Sequence, residues 1–326
     1  MRFEKNPHDR LRRAVSEALL REDIEPDVID SSIEWLPRRW ERFDDVLLLR
    51  SGDFVTGPWA EVRLAEKLAE SGPSRRFWGA VAAATGAVRV ARKGEITGSE
   101  RRPAVEMLLG DDDRVVRQEN GIRYVYRLTR SMFSMGNVEE RRRMGEVDAG
   151  GETVLDLYAG IGYYTLPLLV HAGAAAVIAC ECSDDAIEGL EAGLRLNGVA
   201  ERCTVLRGDN RDHADVLAGS VDRVVLGLLP NAWNSVPVGL AALRTAGGLL
   251  HLHGTAPPDA DGRAEWLGDA IRRCEMAEAA LAETDDRLER TIVAMTPAGE
   301  MSPVIRVKSH SPRWHHVVVD LCVGDC

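Results

Sequence analysis

The stretch Val154–Val170, VLDLYAGIGYYTLPLLV, runs apolar, breaks at a small-residue turn and turns apolar again. A buried strand passing through glycines into a helix opens a parallel α/β sheet, and its turn is where such a sheet meets a nucleotide-like ligand. The alternation then repeats. Strands are expected at Thr153–Leu157, Ala176–Cys180, Thr204–Arg207, Arg223–Gly227 and Leu249–His253, with helices between them. In Asp184–Leu196, Ile187, Leu190 and Leu194 share one face and Asn197-Gly198 ends the helix.

Two β-branched runs, Val304–Lys308 and Val317–Val323, read as an antiparallel hairpin on the sheet edge. That hairpin separates the methyltransferase version of the sheet from the dinucleotide version. The expected fold is α/β: a class I SAM-dependent methyltransferase-like, Rossmann-like sheet (SAM being S-adenosylmethionine) behind a smaller N-terminal α+β domain. The division is placed at 1–128 and 129–326. In the first part, Asp9–Arg21, Pro26–Trp40 and Trp59–Ser71 carry helical spacing and Val46–Leu49 reads as a buried strand. From Arg75 onward strands are expected at Ala87–Ala91, Val105–Leu109 and Ile122–Leu128. Asp111–Asp113 reads as a solvated hairpin tip and Asn120-Gly121 as a turn.

The turn itself narrows the ligand. In Asp156-Leu-Tyr158-Ala-Gly160-Ile-Gly162-Tyr-Tyr-Thr165, the third glycine of a dinucleotide fingerprint is Thr165, and a P-loop lysine is missing. An aspartate four residues before the first glycine repels a phosphate and suits a cation. SAM carries a sulfonium and an α-ammonium. Later strand ends agree. Glu181 stands where an acid accepts both ribose hydroxyls. Asp209 and Asn210 end the third strand, where an acid or amide can bond the adenine amino group. Gly227-Leu-Leu-Pro230-Asn231 ends the fourth, facing the reacting end. Strand-end acids often only cap helices, but acids in order on successive strands point to SAM.

The net charge of −11 argues against a nucleic-acid partner at first sight. It is uneven, however: residues 1–130 hold 24 Lys and Arg against 23 Asp and Glu, and the remainder 17 against 29. Arg75–Arg102 is locally basic and can hold phosphates. The six cysteines are scattered without a CxxC pair, and no cluster has zinc spacing, so no metal and a reduced, cytoplasmic protein are expected. The charged start MRFEKNPHDRLRRAV does not read as a leader, and no apolar run spans a membrane.

The segments MFSMGNVEERRR (132–143), Val154–Ala175, RGDNRD (207–212), DRVVLGLLPN (222–231) and GGLLHLHG (247–254) resemble the wybutosine-synthesis aminocarboxypropyltransferases, a sister family of the tRNA guanine-37 N1-methyltransferases. The likeness spans about residues 45–326. It implies transfer of the 3-amino-3-carboxypropyl group of SAM to 4-demethylwyosine at position 37 in the anticodon loop of tRNA(Phe), with methylthioadenosine released. A monomer is expected. A sulfonium activates all three attached carbons, so the carbon aimed at the nucleophile decides the reaction. The resemblance places Ser134 and Arg141 on SAM, the latter able to pair with its carboxylate. The bland alternative for Arg141-Arg142-Arg143 is a solvated helix face. Asp156 either sets the turn or orients the ammonium.

The fourth-strand motif lacks the Asn or Asp before paired prolines that takes an N–H from a methylated base. A general base is not evident. His251 and His253 read as packed strand histidines, and His315 and His316 as surface residues. For RNA, Arg75, Arg76, Arg92, Lys93, Arg101 and Arg102 are the candidates, with Trp78 and Trp233 as stacking surfaces or, more simply, packing. The competing functions are a guanine-37 methyltransferase and a non-catalytic SAM- or tRNA-binding partner.

Overall fold

Asn6 accepts the backbone N–H of His8 and Pro7 presets the first turn, so the chain enters helix α1 (Pro7–Leu20). The computed structural model describes residues 6–61, 64, 68–94, 104–131, 133–285, 288, 290–294 and 304–325. Two units divide it: Met1–Arg117 with Tyr126–Met132, and Gln118–Val125 with Phe133–Cys326.

In the first unit, α1 is followed by α2 (Pro26–Glu34), β1 (Glu41–Phe43), β2 (Val46–Leu49), α3 (Ser71–Thr85), β3 (Arg89–Lys93) and β4 (Val105–Leu109). The strands form one sheet in the order β1-β2-β3-β4, with β2 and β3 parallel. Leu11, Val15, Leu19, Leu47, Leu49, Phe77, Trp78 and Val81 share its core.

Helix α3 corrects the expectation that strands begin at Arg75. Phe77, Trp78, Val81, Ala82 and Thr85 bury one helical stripe, and Gly86, at φ +73°, ends it in the left-handed conformation. Trp78 is core, edge-on to Phe54 at 5.3 Å, and is no stacking surface. The helix expected over Trp59–Ser71 falls partly on 62, 63 and 65–67, outside the described residues.

Strands β5 (Arg114–Glu119) and β6 (Ile122–Arg127) form a hairpin about Asn120-Gly121, both at positive φ as that dipeptide favours. Its distal part, Gln118–Val125, belongs to the second unit. Asp113 is not a solvated tip. It is buried and accepts from Arg127 and from Thr129 Oγ1, and those bonds outweigh burial to hold its carboxyl below the usual range.

The second unit contains α4 (Val138–Glu146), β7 (Thr153–Asp156), α5 (Thr165–Val170), β8 (Ala176–Glu181), α6 (Asp184–Leu196), β9 (Cys203–Arg207), α7 (Ala214–Leu217), β10 (Arg223–Leu226), α8 (Val236–Ala242), β11 (Gly247–Ala256), α9 (Ala260–Ala282), β12 (Ile292–Ala294), β13 (Ile305–Ser311) and β14 (Trp314–Gly324). The eight-stranded sheet runs β12-β14-β11-β10-β7-β8-β9, with β13 also paired to β14. Strands β11, β10, β7, β8 and β9 are parallel, and β14 is antiparallel to β11. The order reverses beside β7, which is where ligands sit in open α/β sheets.

The closing hairpin does not merely edge the sheet. The run Val317–Val323 lies between β11 and β12, with Val317, Val318, Val319, Leu321 and Val323 wholly buried. Apolar side chains on both faces mark an internal strand.

Candidate active site

Asp156 ends β7 with no solvent exposure. One carboxylate oxygen accepts the Tyr158 N–H at 3.3 Å and the other the Thr165 hydroxyl at 2.8 Å. The carboxylate therefore ties the strand end to the start of α5 and sets the turn. Burial pushes its pKa up to about 6. Between these anchors Gly160 and Gly162 take φ +56° and +93°. A Cβ on Gly162 would stand 2.9 Å from Leu166 and Leu190, so only glycine lets helix and turn pack this closely.

Glu181 closes the turn from the next strand. Its carboxylate accepts the Gly160 N–H at 2.8 Å, and the Cys182 and Ser183 N–H groups at 2.9 and 2.8 Å. The acid at the end of β8 is thus in contact with the glycine turn of β7. Tyr158, after Asp156, donates its hydroxyl to Ser235 Oγ across 2.7 Å, since the Ser235 hydrogen goes to Asn210.

Asp209 follows β9 and caps the short helical turn after it, accepting from the Arg211 N–H and guanidinium. The Arg211 side chain holds its carboxyl well below the usual range. Asn210 faces inward. Its Nδ2 donates to Leu157 O at 3.0 Å and its Oδ1 accepts from Ser235 at 2.7 Å, so both ends of the amide are occupied by protein. Asn210 braces the Tyr158 loop.

Arg141 is 1 % exposed. It is not a solvated face, although its neighbour Arg142 is exposed. Its Nε and Nη2 meet Glu119 at 2.6 and 3.0 Å, and Nη1 donates to Ser134 O at 3.0 Å. The guanidinium also lies 4.5 Å from the Phe133 ring centre and 5.7 Å from that of Tyr163, in the glycine turn. The carboxylate in its fork is Glu119, a partner sequence reading missed: one acid in a strand carries no pattern. Ser134 Oγ accepts from Lys308 Nζ at 2.5 Å, which sequence reading also missed.

Beyond β10, Gly227 leaves room for the buried Tyr164 ring, which a Cβ would approach to 2.9 Å. Pro230 is exposed, and its carbonyl accepts from Thr255 at 3.5 Å. Asn231 turns back on its own loop, accepting the Trp233 N–H at 3.4 Å. The loop thus aims neither an aspartate nor an asparagine from its first position at a substrate.

A buried polar network crosses the sheet beside this loop. His251 donates from Nδ1 to Asp320 at 2.6 Å, because its Nε2 must accept from Arg223 at 2.9 Å. Arg143 pairs with Asp320 and Glu140. His251 and Arg143 outweigh burial and hold Asp320 low. His253 Nδ1 lies 2.9 Å from His316 Nε2, and the ring stacks on Tyr164 at 4.9 Å. His251 and His253 are packed, hydrogen-bonded strand residues. His316, expected on the surface, is buried because its strand is internal. Burial and nearby Lys308 lower its pKa to about 4.

Of the RNA candidates, Arg75 and Arg76 are exposed on α3, and Arg76 pairs with Glu22 at 2.6 Å. Arg92 pairs with Glu106 at 2.8 Å and Lys93 with Glu41 at 2.7 Å. Arg101 and Arg102 lie outside the described residues. Trp233 is partly buried beneath the Arg273 guanidinium at 5.0 Å. Among the described residues no group of three or more His, Cys, Asp or Glu could hold a metal ion, and no helix is long and apolar enough to cross a membrane.

Residues 115–277 match the TRM5/TYW2 methyltransferase domain. The chain is 37% identical over 305 residues to the tRNA wybutosine-synthesizing protein 2 homolog of Danio rerio, covering 88% of this chain and 71% of that protein. The chain belongs to the TRM5/TYW2 family. The human tRNA wybutosine-synthesizing protein 2 homolog is 44% identical over 220 residues, 67% of this chain but 46% of the human protein. Among solved structures, Pyrococcus horikoshii TYW2 in complex with MeSAdo superposes with a TM-score of 0.63 at 25% identity, covering 97% of this chain and all of that one. The TRM5/TYW2 match begins within β5, so it includes Glu119 as well as the glycine turn and Glu181.

Proposed function

We propose that the chain transfers the 3-amino-3-carboxypropyl group of SAM to 4-demethylwyosine at position 37 of tRNA(Phe). The observation that carries this reading is identity of 37% and 44% to proteins named for wybutosine synthesis. The archaeal TYW2 is in complex with MeSAdo, methylthioadenosine, which is what SAM becomes when that arm departs. The bond between sulfur and the γ-carbon breaks, sulfur keeps the electron pair, and a base carbon bonds the γ-carbon and loses its proton to solvent. Methylthioadenosine leaves as a neutral thioether.

The site supports this reading in two ways. The turn of Gly160 and Gly162, with Glu181 against it, is built for a ribose beside a backbone rather than for a pyrophosphate. Glu181 and Asp209 frame the nucleoside end and Ser134 the amino-acid end, with Asp156 holding the turn between them. The loop at Leu229-Pro230-Asn231 turns its one side-chain amide back onto the Trp233 N–H, and Gly227 offers no side chain to accept a guanine N1–H. Chemistry at carbon needs no such acceptor. The macromolecular substrate is tRNA, met at its anticodon loop by a cytoplasmic monomer.

Mass spectrometry of the small-molecule product tests the reading. Enzyme, SAM and tRNA carrying 4-demethylwyosine should give methylthioadenosine and a base heavier by one aminocarboxypropyl group. S-adenosylhomocysteine with a methylated base would make the protein a methyltransferase.

A further inference from the structure

A transferase that moves the amino-acid arm of SAM must hold the far end of that arm while its γ-carbon is aimed. The arm ends in a carboxylate and an ammonium. Arg141 holds one carboxylate already, that of Glu119, with both donors of its fork and 1 % exposure. A second cation reaches the same loop from a different element. Lys308, on β13, places Nζ 2.5 Å from Ser134 Oγ.

The approach is built into the backbone. The Lys308 stem crosses Gly136, where a Cβ would stand 2.7 Å from Lys308 Cδ. Gly136 has an ordinary negative φ, so glycine serves here for space and not for conformation. Strand β13 is fixed in turn by β14, with Lys308 opposite His316. A neutral imidazole beside an ammonium adds no competing charge.

The pair also stands next to the turn. Ser134 O is bonded to Arg141, whose guanidinium faces the Tyr163 ring, and that ring is 3.1 Å from where a Cβ of Gly160 would be. A hydroxyl and an ammonium converging beside a nucleoside turn suit a carboxylate: one charge-assisted bond from nitrogen and one from oxygen.

We propose that Lys308 Nζ and Ser134 Oγ form the subsite for the α-carboxylate of SAM. This rests on the proposed function only in requiring that SAM bind at the turn. Calorimetric titration of the full chain tests it, with three ligands: SAM, methylthioadenosine, which lacks the arm, and decarboxylated SAM, which lacks only the carboxylate. Lys308→Met should weaken SAM about 10–100-fold and leave the other two unchanged. Lys308→Arg should recover part of the loss. Equal weakening of all three ligands would mean that the stem only packs over Gly136, and unchanged SAM affinity would remove Lys308 from the site; either overturns the proposal. Lower tRNA affinity with unaltered SAM affinity would place the ammonium on RNA phosphate instead. The product of the wild-type enzyme separates this from the reaction itself. If it is S-adenosylhomocysteine while the ligand split persists, the subsite stands and the proposed transfer falls.

Discussion

The guanidinium of Arg141 lies against the carboxylate of Glu119, Nε to Oε1 at 2.6 Å and Nη2 to Oε2 at 3.0 Å, with side-chain exposures of 1 % and 9 %. Glu119 ends β5 and Arg141 lies in α4, so the pair fastens the hairpin tip to the helix before the sheet. Removing one partner strands the other charge away from water. Glu119→Gln should therefore cost about 3–5 kcal/mol of stability, measured by urea unfolding. Glu119→Gln with Arg141→Met should cost clearly less than the sum of the two single changes. Additive losses would mean that the pair is not coupled.

Glu181 accepts three backbone N–H groups while lying against the turn that we assign to the ribose. Glu181→Ala should weaken SAM binding by about 1–3 kcal/mol, from lost charge-assisted hydrogen bonds and a loosened turn. Isothermal titration reads this directly. Wild-type affinity in the variant would remove Glu181 from the ligand site.

The sheet strands and the glycine turn were legible in sequence because each is local. The βα alternation shows as apolar runs, and the turn shows in Gly160 and Gly162. Helix α3 was missed because ten of its residues are Gly, Ala, Ser, Thr or Pro, which blurs a stripe that only tertiary packing completes. Glu119, Lys308 and Asp320 were missed for another reason. Each faces a partner far along the chain, Lys308 to Ser134 and Asp320 to Arg143 among them. Only strand pairing reveals such partners: Asp156, Val225, His251 and Asp320 align as one row across four strands.

Asp156 should make the protein more stable in mild acid than its other carboxylates suggest. In the fold it keeps its proton up to about 6, whereas an unfolded aspartate releases it near about 3.9. Folding takes up a proton between those values. The contribution is present below about 4 and is lost as pH rises through about 6, on the order of 3 kcal/mol in all. Asp156→Asn removes this dependence. The stability of the variant minus that of wild type should thus grow from pH 4 to pH 7, and a difference flat in pH would refute the assignment.

His316 acts with the opposite sign over an overlapping window. Burial lowers it to about 4, while an unfolded histidine titrates near about 6.5. The unfolded chain therefore takes up the proton first on acidification. Stability from this group is present above about 6.5 and is lost as pH falls through about 4, again on the order of 3 kcal/mol. His316→Gln gives up its 2.9 Å contact with His253 at every pH, a constant offset. Its penalty relative to wild type should then shrink between pH 7 and pH 4. Because the two groups oppose each other, the wild-type curve should be flatter between pH 4 and 6.5 than that of either variant. Chemical denaturation at half-unit steps of pH measures all three curves, and three parallel curves would show that neither buried group titrates where its surroundings place it.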